Sequence, residues 1–217
     1  MKRVFYTGVL FVLLACSQLW GQTKVTKAFL YCPQRLLPAL SEEQRKDLVD
    51  LYMHHATTKA TITNAFGGQS TLQLLGDTYA KVNLDAYTEL QLKVLEADKD
   101  DNPTVVAIVY TSLLVPNQSV VRVYNARWEE VSNSAVLQLP ETHLFFKPSK
   151  TSLQDIKEAL TERGVLTYRA TFTEEINRLQ VRLTCFDDSI AQKRYHQVRA
   201  QLLSQGLMLM WDGKTFK

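Results

Sequence analysis

Three arginines with period-two spacing carry the clearest chemical signal in the sequence. Arg169, Arg178 and Arg182 alternate with apolar residues in two neighbouring segments, the pattern of half-buried β-strands. The alternation predicts that the arginines share one exposed sheet face with Thr167 and Gln180. The residues predicted to face inward are Leu166, Tyr168, Ala170, Phe172, Leu179, Val181 and Leu183. Adjacent guanidinium groups can receive a carboxylate, a phosphate or an acidic protein surface, although exposed antiparallel faces are often charged without binding anything.

Carboxylates are the second group of residues that could do chemistry. Asp77, Asp85 and Glu89 fall within a region of predicted strands. Glycosidases use a pair of carboxylates that needs no short sequence motif. The alternative hypothesis for function is therefore a hydrolase that acts on envelope glycans. It requires two of these acids to face each other within about 10 Å in a cleft.

Metal sites and catalytic motifs are not indicated by the sequence. Asp50 and His54 have the i, i+4 spacing of two helical ligands, but a metal site needs further ligands that the spacing does not supply. No nucleophile elbow, HExxH, P-loop or glycine-rich dinucleotide loop occurs. We therefore expect no metal and no cofactor. Because catalytic triads assemble in space, enzyme activity stays open, with a non-catalytic protein favoured.

A hairpin over residues 59–76 organises the elements that would position these side chains. Alternation puts four residues on one side of its first strand: Ala60, Ile62, Asn64 and Phe66. Gly67 and Gly68 predict a tight two-residue turn with both glycines at positive φ. Upstream, residues 41–44 (Ser-Glu-Glu-Gln) form a capping box that begins a helix. The helix face expected to pack on the hairpin carries Leu48, Leu51, Tyr52 and His55.

More strands are predicted after the hairpin, over residues 79–84, 88–95, 104–111, 119–125 and 132–139. In the second of them, Leu90, Leu92 and Val94 are expected to point inward and Glu89, Gln91 and Lys93 outward. The third is almost continuously apolar, which is typical of a central strand covered on both faces.

A different order of elements is predicted after residues 140–150: helix, strand, strand, helix, strand. Thr151 or Ser152 would cap the first helix and Ser189 the second. The strands are expected over residues 165–172, 177–184 and 207–211, the last an inner strand because it is apolar on both faces.

The order of these elements predicts an α+β fold of antiparallel sheet meanders with helices packed on one face. A helix-plus-meander half of residues 22–139 would precede an αββαβ half of residues 140–217. The two halves suggest diverged repeats by shape, without residue-level similarity. The shape is similar to β-lactamase-inhibitor-like and PepSY-like periplasmic folds, in which a sheet face binds another protein.

Several short motifs resemble a family of secreted Bacteroidetes proteins catalogued as domain of unknown function 3256. They are Leu36-Leu37-Pro38, Arg45 to Asp50, Thr63-Asn64 before Gly67 to Ser70, and Val123 to Trp128. The resemblance covers roughly residues 28 to 212, with Cys32 standing where that family is expected to have Met. It implies export and a bacterial envelope setting, and it implies no activity.

The N-terminus has the pattern of an export signal over residues 1–21. Lys2 and Arg3 precede an apolar run of 12 residues, which is too short to span a bilayer. Cleavage after Gly21 predicts a periplasmic or extracellular protein that starts at Gln22; the alternative is a lipoprotein anchored through Cys16. No other segment approaches 18 apolar residues, so we predict no transmembrane helix.

The charge of the mature chain bears on the kinds of partner it can bind, and its cysteines bear on whether it forms a disulfide. Removing residues 1–21 leaves 23 basic against 22 acidic residues, so nucleic-acid binding lacks its usual electrostatic footprint. Cys32 and Cys185 would form a disulfide or remain two buried thiols, the second being slightly favoured. The leading hypothesis is a non-catalytic envelope protein that binds another envelope protein or a small anionic ligand through an exposed sheet face.

Overall fold

The computed structural model describes residues 22–54, 60–96, 104–114, 117–131, 136–147, 152, 154–156, 158, 167–184 and 198–217. The predicted signal of residues 1–21, Cys16, Cys185 and most of the helix predicted after Ser189 lie outside these ranges. The helices with described bounds are α1 (Lys24–Leu30), α2 (Glu42–His54) and a 3-10 helix (Thr142–Phe145); residues 154–156, 158 and 198–199 are also helical. Seven strands come first: β1 (Ala60–Thr63), β2 (Gln69–Leu75), β3 (Tyr79–Asn83), β4 (Thr88–Glu96), β5 (Thr104–Ser112), β6 (Gln118–Asn125) and β7 (Glu130–Val131). The last three are β8 (Tyr168–Phe172), β9 (Arg178–Leu183) and β10 (Leu207–Met210).

The strands form two antiparallel sheets. β1 to β7 follow one another in chain order in a seven-stranded meander, the large sheet. A second, three-stranded sheet has the order β10-β9-β8, and we call it the small sheet. The predicted α+β class with antiparallel meanders is confirmed.

Helix α2 begins at the predicted capping box. The Gln44 backbone N–H donates to Ser41 Oγ at 3.2 Å, and Gln44 Oε1 accepts from the Ser41 backbone N–H at 2.9 Å. Gln44 Nε2 also donates to the Thr63 carbonyl at 2.9 Å, which ties the helix to β1. Leu48 is fully buried in a cluster that includes Ala60 and Leu72 of the hairpin, as expected.

The large sheet is covered on both faces, which gives the protein three layers. Helices α1 and α2 lie on one face, in a cluster that includes Phe29, Leu48, Val82, Leu92 and Ile108. The small sheet and the segment from Val136 to Phe146 lie on the other face, in a cluster that includes Val109, Val121, Phe145, Phe172 and Val181. Central strands of the large sheet therefore have no solvent-exposed face.

The second layer overturns the prediction that Glu89, Gln91 and Lys93 of β4 point to solvent. Glu89 is 4% exposed and the other two are fully buried. Alternation within β4 was predicted correctly, since Leu90 and Leu92 lie on the helical face. The face of β4 that carries Glu89, Gln91 and Lys93 is covered by the small sheet. β4 pairs with the doubly covered strand β5, and the layer over β5 extends over β4 as well.

The hairpin turn also differs from its prediction. Its loop runs from Asn64 to Gly68, and only Gly67 of the two glycines has positive φ, at 80°. The Asn64 side chain organises the loop, because its Oδ1 accepts from the backbone N–H groups of Phe66 and Gly68, each at 3.0 Å. Phe66 is 72% exposed, so it does not continue the side of β1 on which Ala60 is buried, where alternation placed it.

Two later strands differ from their predictions. Of the strand expected over residues 132–139, residues 132–135 lie outside the described ranges, and Leu137 forms an isolated bridge with Phe216; the short strand β7 (Glu130 and Val131) comes before it. β10 was expected to be an inner strand but is an edge of the small sheet. The side of β10 that points away from the core is also open, since Met208 and Met210 are 43% and 41% exposed while Leu209 is 4% exposed.

Candidate functional site

The outer face of the small sheet holds the three predicted arginines. In the β8–β9 register, Arg169 lies opposite Arg182 and Thr171 opposite Gln180. In the β9–β10 register, Met208 lies opposite Gln180 and Met210 opposite Arg178. The opposite side of β9 carries Leu179 and Val181, both fully buried. Arginines and methionines therefore lie together on the side of the sheet that faces away from the core.

Thr167 does not join this face, although it was predicted to. It precedes β8 and is only 7% exposed. Its backbone carbonyl accepts from the Thr184 N–H at 3.0 Å, and the two threonine hydroxyls are 3.2 Å apart. Thr167 and Thr184 thus pair at the end of the small sheet, where the Thr167 side chain is buried.

Arg169 is committed to an internal ion pair. Its Nη2 lies 3.5 Å from Oε1 of Glu89. The same carboxylate accepts from Gln91 Nε2 at 2.7 Å and pairs with Lys81 Nζ at 3.0 Å. Because Arg169 compensates a buried charge, it is less available to an outside ligand than the other two arginines.

Arg178 and Arg182 have neutral partners. Arg178 Nε donates to Met210 Sδ at 2.8 Å, and Arg182 Nη2 donates to Gln180 Oε1 at 3.0 Å. Within the described ranges, neither guanidinium has a carboxylate at ion-pair distance. These two side chains therefore place uncompensated positive charge on the outer face.

A glycine next to β9 fixes the backbone beside this face. Gly206 has a φ of 67°, and a Cβ there would lie 2.1 Å from the Val181 carbonyl oxygen. Only glycine permits this close approach. The neighbouring Gln205 carbonyl accepts from Gln180 Nε2 at 2.7 Å, which fixes the polar side chain between the two arginines.

The three carboxylates of the hydrolase hypothesis have separate structural surroundings. Asp77 is exposed and its backbone carbonyl accepts from Val25 N–H at 3.1 Å. Asp85 caps a turn, where its Oδ1 accepts from the Tyr87 N–H at 2.7 Å. Glu89 is buried among its cationic partners. A groove of about 470 Å³ along α2 contains none of them; its lining is Asp47, Asp50, Leu51, His54 and Ile62.

Asp50 and His54 do lie in one groove, which Asp47 also lines, but these side chains do not converge. Among the residues that the structure describes, no three His, Cys, Asp or Glu side chains group as a metal ion would require. Cys32 is a buried free thiol, and burial raises its pKa to about 12. A thiol with so high a pKa is a poor nucleophile at neutral pH.

Lys93 is a buried residue that sequence reasoning placed at the surface. Its Nζ donates to Thr78 Oγ1 at 3.1 Å and to the carbonyls of Thr173 and Glu174 at 3.3 and 2.7 Å. Burial lowers the pKa of this lysine. The ammonium thereby anchors the turn between β8 and β9 on the large sheet. The signal that could have revealed it is the continuously apolar β5, since a second layer over β5 also covers its neighbour β4.

No helix within the described ranges combines the length and apolarity that crossing a membrane requires.

Comparisons with known proteins extend over nearly the whole chain. A family model described as "Protein of unknown function (DUF3256)" matches residues 17–216. No curated protein matches the chain. A solved domain of an uncharacterized protein from Porphyromonas gingivalis W83 is 22% identical, with a TM-score of 0.72. The match covers 91% of this chain and 98% of that domain, and at this identity it shows a shared fold alone.

Proposed function

Because this chain belongs to the DUF3256 family, whose description names no activity, we propose a function from its surface chemistry. The protein is a non-catalytic binding module of the bacterial envelope. It docks an acidic, extended segment of another envelope protein on the outer face of the small sheet. The binding side chains are Arg178 and Arg182, with Met208 and Met210 beside them.

The observation that carries this proposal is the pair of uncompensated guanidinium groups next to exposed methionines. Arg178 and Arg182 have only neutral partners among the described residues. Met208 and Met210 supply polarizable, adaptable apolar area, which suits binding surfaces. A partner that brings both carboxylates and apolar side chains complements this face.

The spacing of the two arginines favours an extended segment over a single small anion. They are four residues apart on one strand, so their Cα atoms are separated by about 13 Å. Gln180 lies between them and is held by the Gln205 carbonyl. One carboxylate group is too small to receive both guanidinium groups across that gap, whereas two acidic residues of an extended chain can match it.

The rest of the fold makes this face rigid. Leu179 and Val181, on the other side of β9, are fully buried. A rigid face loses less conformational entropy when a partner docks. Arg178 and Arg182 therefore need little reorganisation of the backbone beneath them.

The envelope setting is part of the proposal and is supported by the N-terminal sequence. Mass spectrometry of the mature protein is expected to find an N-terminus at Gln22. Detection of a diacylglyceryl group on Cys16 would contradict this prediction and show that the protein is a lipoprotein.

Binding of a designed peptide tests the docking face directly. The probe is a fluorescent extended peptide of alternating glutamate and leucine, compared with its glutamine counterpart. We expect salt-dependent binding of the glutamate peptide to the mature protein. Binding should weaken at least tenfold in the double variant Arg178→Glu, Arg182→Glu, because each lost charge-assisted contact contributes about 1.5–3 kcal/mol.

The matched control is Arg127→Glu, which reverses an exposed arginine outside the small sheet. It should bind the peptide as the wild type does. Equal peptide binding by wild type and double variant contradicts the proposal. Complete displacement of the peptide by millimolar free glutamate or phosphate would instead indicate a small-anion site.

A further inference from the structure

A cavity of about 360 Å³ lies on the helical side of the large sheet, at its β6 end. Its volume falls within the range of small-molecule sites. Cationic, aromatic and aliphatic side chains line it: Arg35, Leu36, Tyr110, Val120, Arg122 and Tyr124. It is separate from the outer face of the small sheet, which lies on the other side of the large sheet.

The cavity lies beside the part of β6 that precedes its described pairing with β7. Among the described residues, β7 pairs with Val123 and Tyr124 of β6, and residues 132–135 lie outside the described ranges. Val120, on the helical side of β6, is 44% exposed. The Tyr110 hydroxyl donates to the Leu36 carbonyl and holds the segment after α1 against the opposite wall.

The charges around the cavity leave one positive charge uncompensated among the described residues. Arg35 Nη2 donates to the backbone carbonyl of Trp128 at 2.8 Å, a neutral partner. Arg122 Nη1 is 3.2 Å from Oε2 of Glu130 and forms an ion pair with it. Arg35 therefore supplies the net charge, and Arg122 supplies further N–H donors.

Tyr124 provides an independent indication of a ligand. The residue is 1% exposed, and its hydroxyl has no hydrogen-bond acceptor among the described residues. Buried hydroxyl groups are nearly always hydrogen-bonded, so an orphan requires an explanation. Burial raises the pKa of Tyr124, while the Arg122 guanidinium, which can donate to the hydroxyl oxygen but accept nothing from it, opposes that shift. The group is thus a neutral donor without an acceptor, beside a cationic cavity.

The wall next to Tyr124 is held in an unusual backbone conformation. Trp128 is at φ 61°, a left-handed conformation that bulky residues rarely adopt. Its ring lies 6.1 Å from the Tyr124 ring, and its carbonyl receives Arg35. Trp128 therefore fixes the position of one cation and one aromatic wall of the cavity.

We propose that this cavity binds a small organic monoanion, a carboxylate attached to an apolar body. The carboxylate pairs with Arg35 and receives N–H groups of Arg122. The apolar body lies against Leu36, Val120 and the Tyr110 ring. The Tyr124 hydroxyl donates to the carboxylate once the ligand is in place.

The chemistry of the lining favours a carboxylate over a phosphate ester. One uncompensated charge matches a monoanion, whereas a phosphate monoester carries close to two negative charges at neutral pH. The aromatic and aliphatic walls add contact area that a bare inorganic anion does not use.

Titration with simple carboxylates tests the site. The probes are benzoate, phenylacetate and hexanoate, with benzamide as the uncharged counterpart of benzoate. The indole N–H signal of Trp128 in NMR spectra reports binding because its ring packs on the cavity wall. We expect saturable shifts with the carboxylates and none with benzamide. Absence of saturable shifts with all three carboxylates overturns the proposal.

Substitution of Arg35 separates this cavity from non-specific anion binding. Arg35→Gln should weaken carboxylate binding about tenfold or more, the loss typical of a charge-assisted hydrogen bond. Arg127→Gln, on the turn before Trp128, removes an exposed arginine that does not line the cavity and should leave the affinity unchanged. Equal affinity of wild type and Arg35→Gln would refute the assignment.

Tyr124→Phe distinguishes a ligand contact from a structural role. The hydroxyl has no acceptor among the described residues, so its removal should leave the melting temperature unchanged or raise it. Carboxylate affinity should nevertheless fall several-fold. A lowered melting temperature with unchanged carboxylate affinity would show that the hydroxyl serves the fold and would overturn its place in the site.

Discussion

The carboxylate of Glu89 illustrates how single residues join the layers of this protein. It is almost completely buried and contacts Lys81 of β3, Gln91 of β4 and Arg169 of β8. A buried carboxylate without such partners would be strongly destabilising. Arg169 is therefore used in an ion pair with the buried Glu89 carboxylate. Of the three arginines on the outer face, Arg178 and Arg182 are the ones available to a partner.

At the same scale, Gly67 is the residue on which the hairpin loop depends. Its φ of 80° lies in the left-handed region, and a Cβ there would contact nothing within 4 Å. Gly67→Ala should therefore reduce the free energy of unfolding by about 1–2 kcal/mol through backbone strain alone. Thermal or urea unfolding of both proteins measures the difference.

Gly67→Asn is the matched variant, because asparagine tolerates the left-handed conformation better than alanine. It should be destabilised less than Gly67→Ala. If alanine costs less than about 0.5 kcal/mol, as most surface substitutions do, the loop does not depend on this conformation.

Strand β8 shows how an element is placed by side chains of another sheet. The Ala170 backbone N–H donates to Ser119 Oγ at 2.9 Å, and the Phe172 N–H donates to Gln91 Oε1 at 2.8 Å. A strand edge that would otherwise have unpaired N–H groups is thereby satisfied and protected from other chains. The small sheet is consequently positioned by hydrogen bonds as well as by apolar packing.

Removing either acceptor should loosen β8 first. Ser119→Ala orphans the buried Ala170 N–H and should cost about 1–3 kcal/mol of unfolding free energy. Amide hydrogen exchange at Ala170 should accelerate relative to wild type. Ser112→Ala is the control, since the Ser112 hydroxyl accepts from Leu114 N–H at the exposed end of β5. Equal exchange at Ala170 in both variants would contradict this account of the edge.

At the scale of the whole molecule, the large sheet is shared by two hydrophobic clusters. One cluster joins it to the helices and the other joins it to the small sheet. Because both clusters use side chains of the same strands β4, β5 and β6, disruption of one should weaken the other. The two proposed binding surfaces are consequently carried on opposite sides of one packed unit.

We therefore expect the mature chain to unfold in one cooperative transition. Leu48→Ala in the helical cluster and Leu179→Ala in the small-sheet cluster should each cost about 2–5 kcal/mol. Fluorescence of Trp128 and of Trp211, observed separately in Trp→Phe backgrounds, reports the two sides of the large sheet. Both signals should shift together in each variant. Two transitions, each sensitive to one substitution only, would indicate independently folding halves of residues 22–139 and 140–217.

Local patterns in the sequence predicted much of this architecture. The capping box of Ser41 and Gln44, the hairpin of β1 and β2, and the alternation of Leu90 and Leu92 depend on interactions within a few residues or on strand periodicity. These features are predictable because the residues that interact are close together in the sequence. The alternation likewise placed Arg169, Arg178 and Arg182 on one face of the small sheet.

Tertiary structure alone decided which polar residues are buried and which arginines remain uncompensated. Alternation assigns residues to two faces of a strand, but it does not say what covers each face. Glu89, Gln91 and Lys93 are interior residues only because a sheet more than 70 residues later in the chain packs over them. The same packing draws Arg169 towards Glu89, and the packing of the segment after α1 beside β6 brings Arg35 to Tyr124 and Arg122. Contacts between residues so far apart in the sequence depend on how the layers are placed relative to one another. That placement depends on the whole sequence, and no short pattern predicts it.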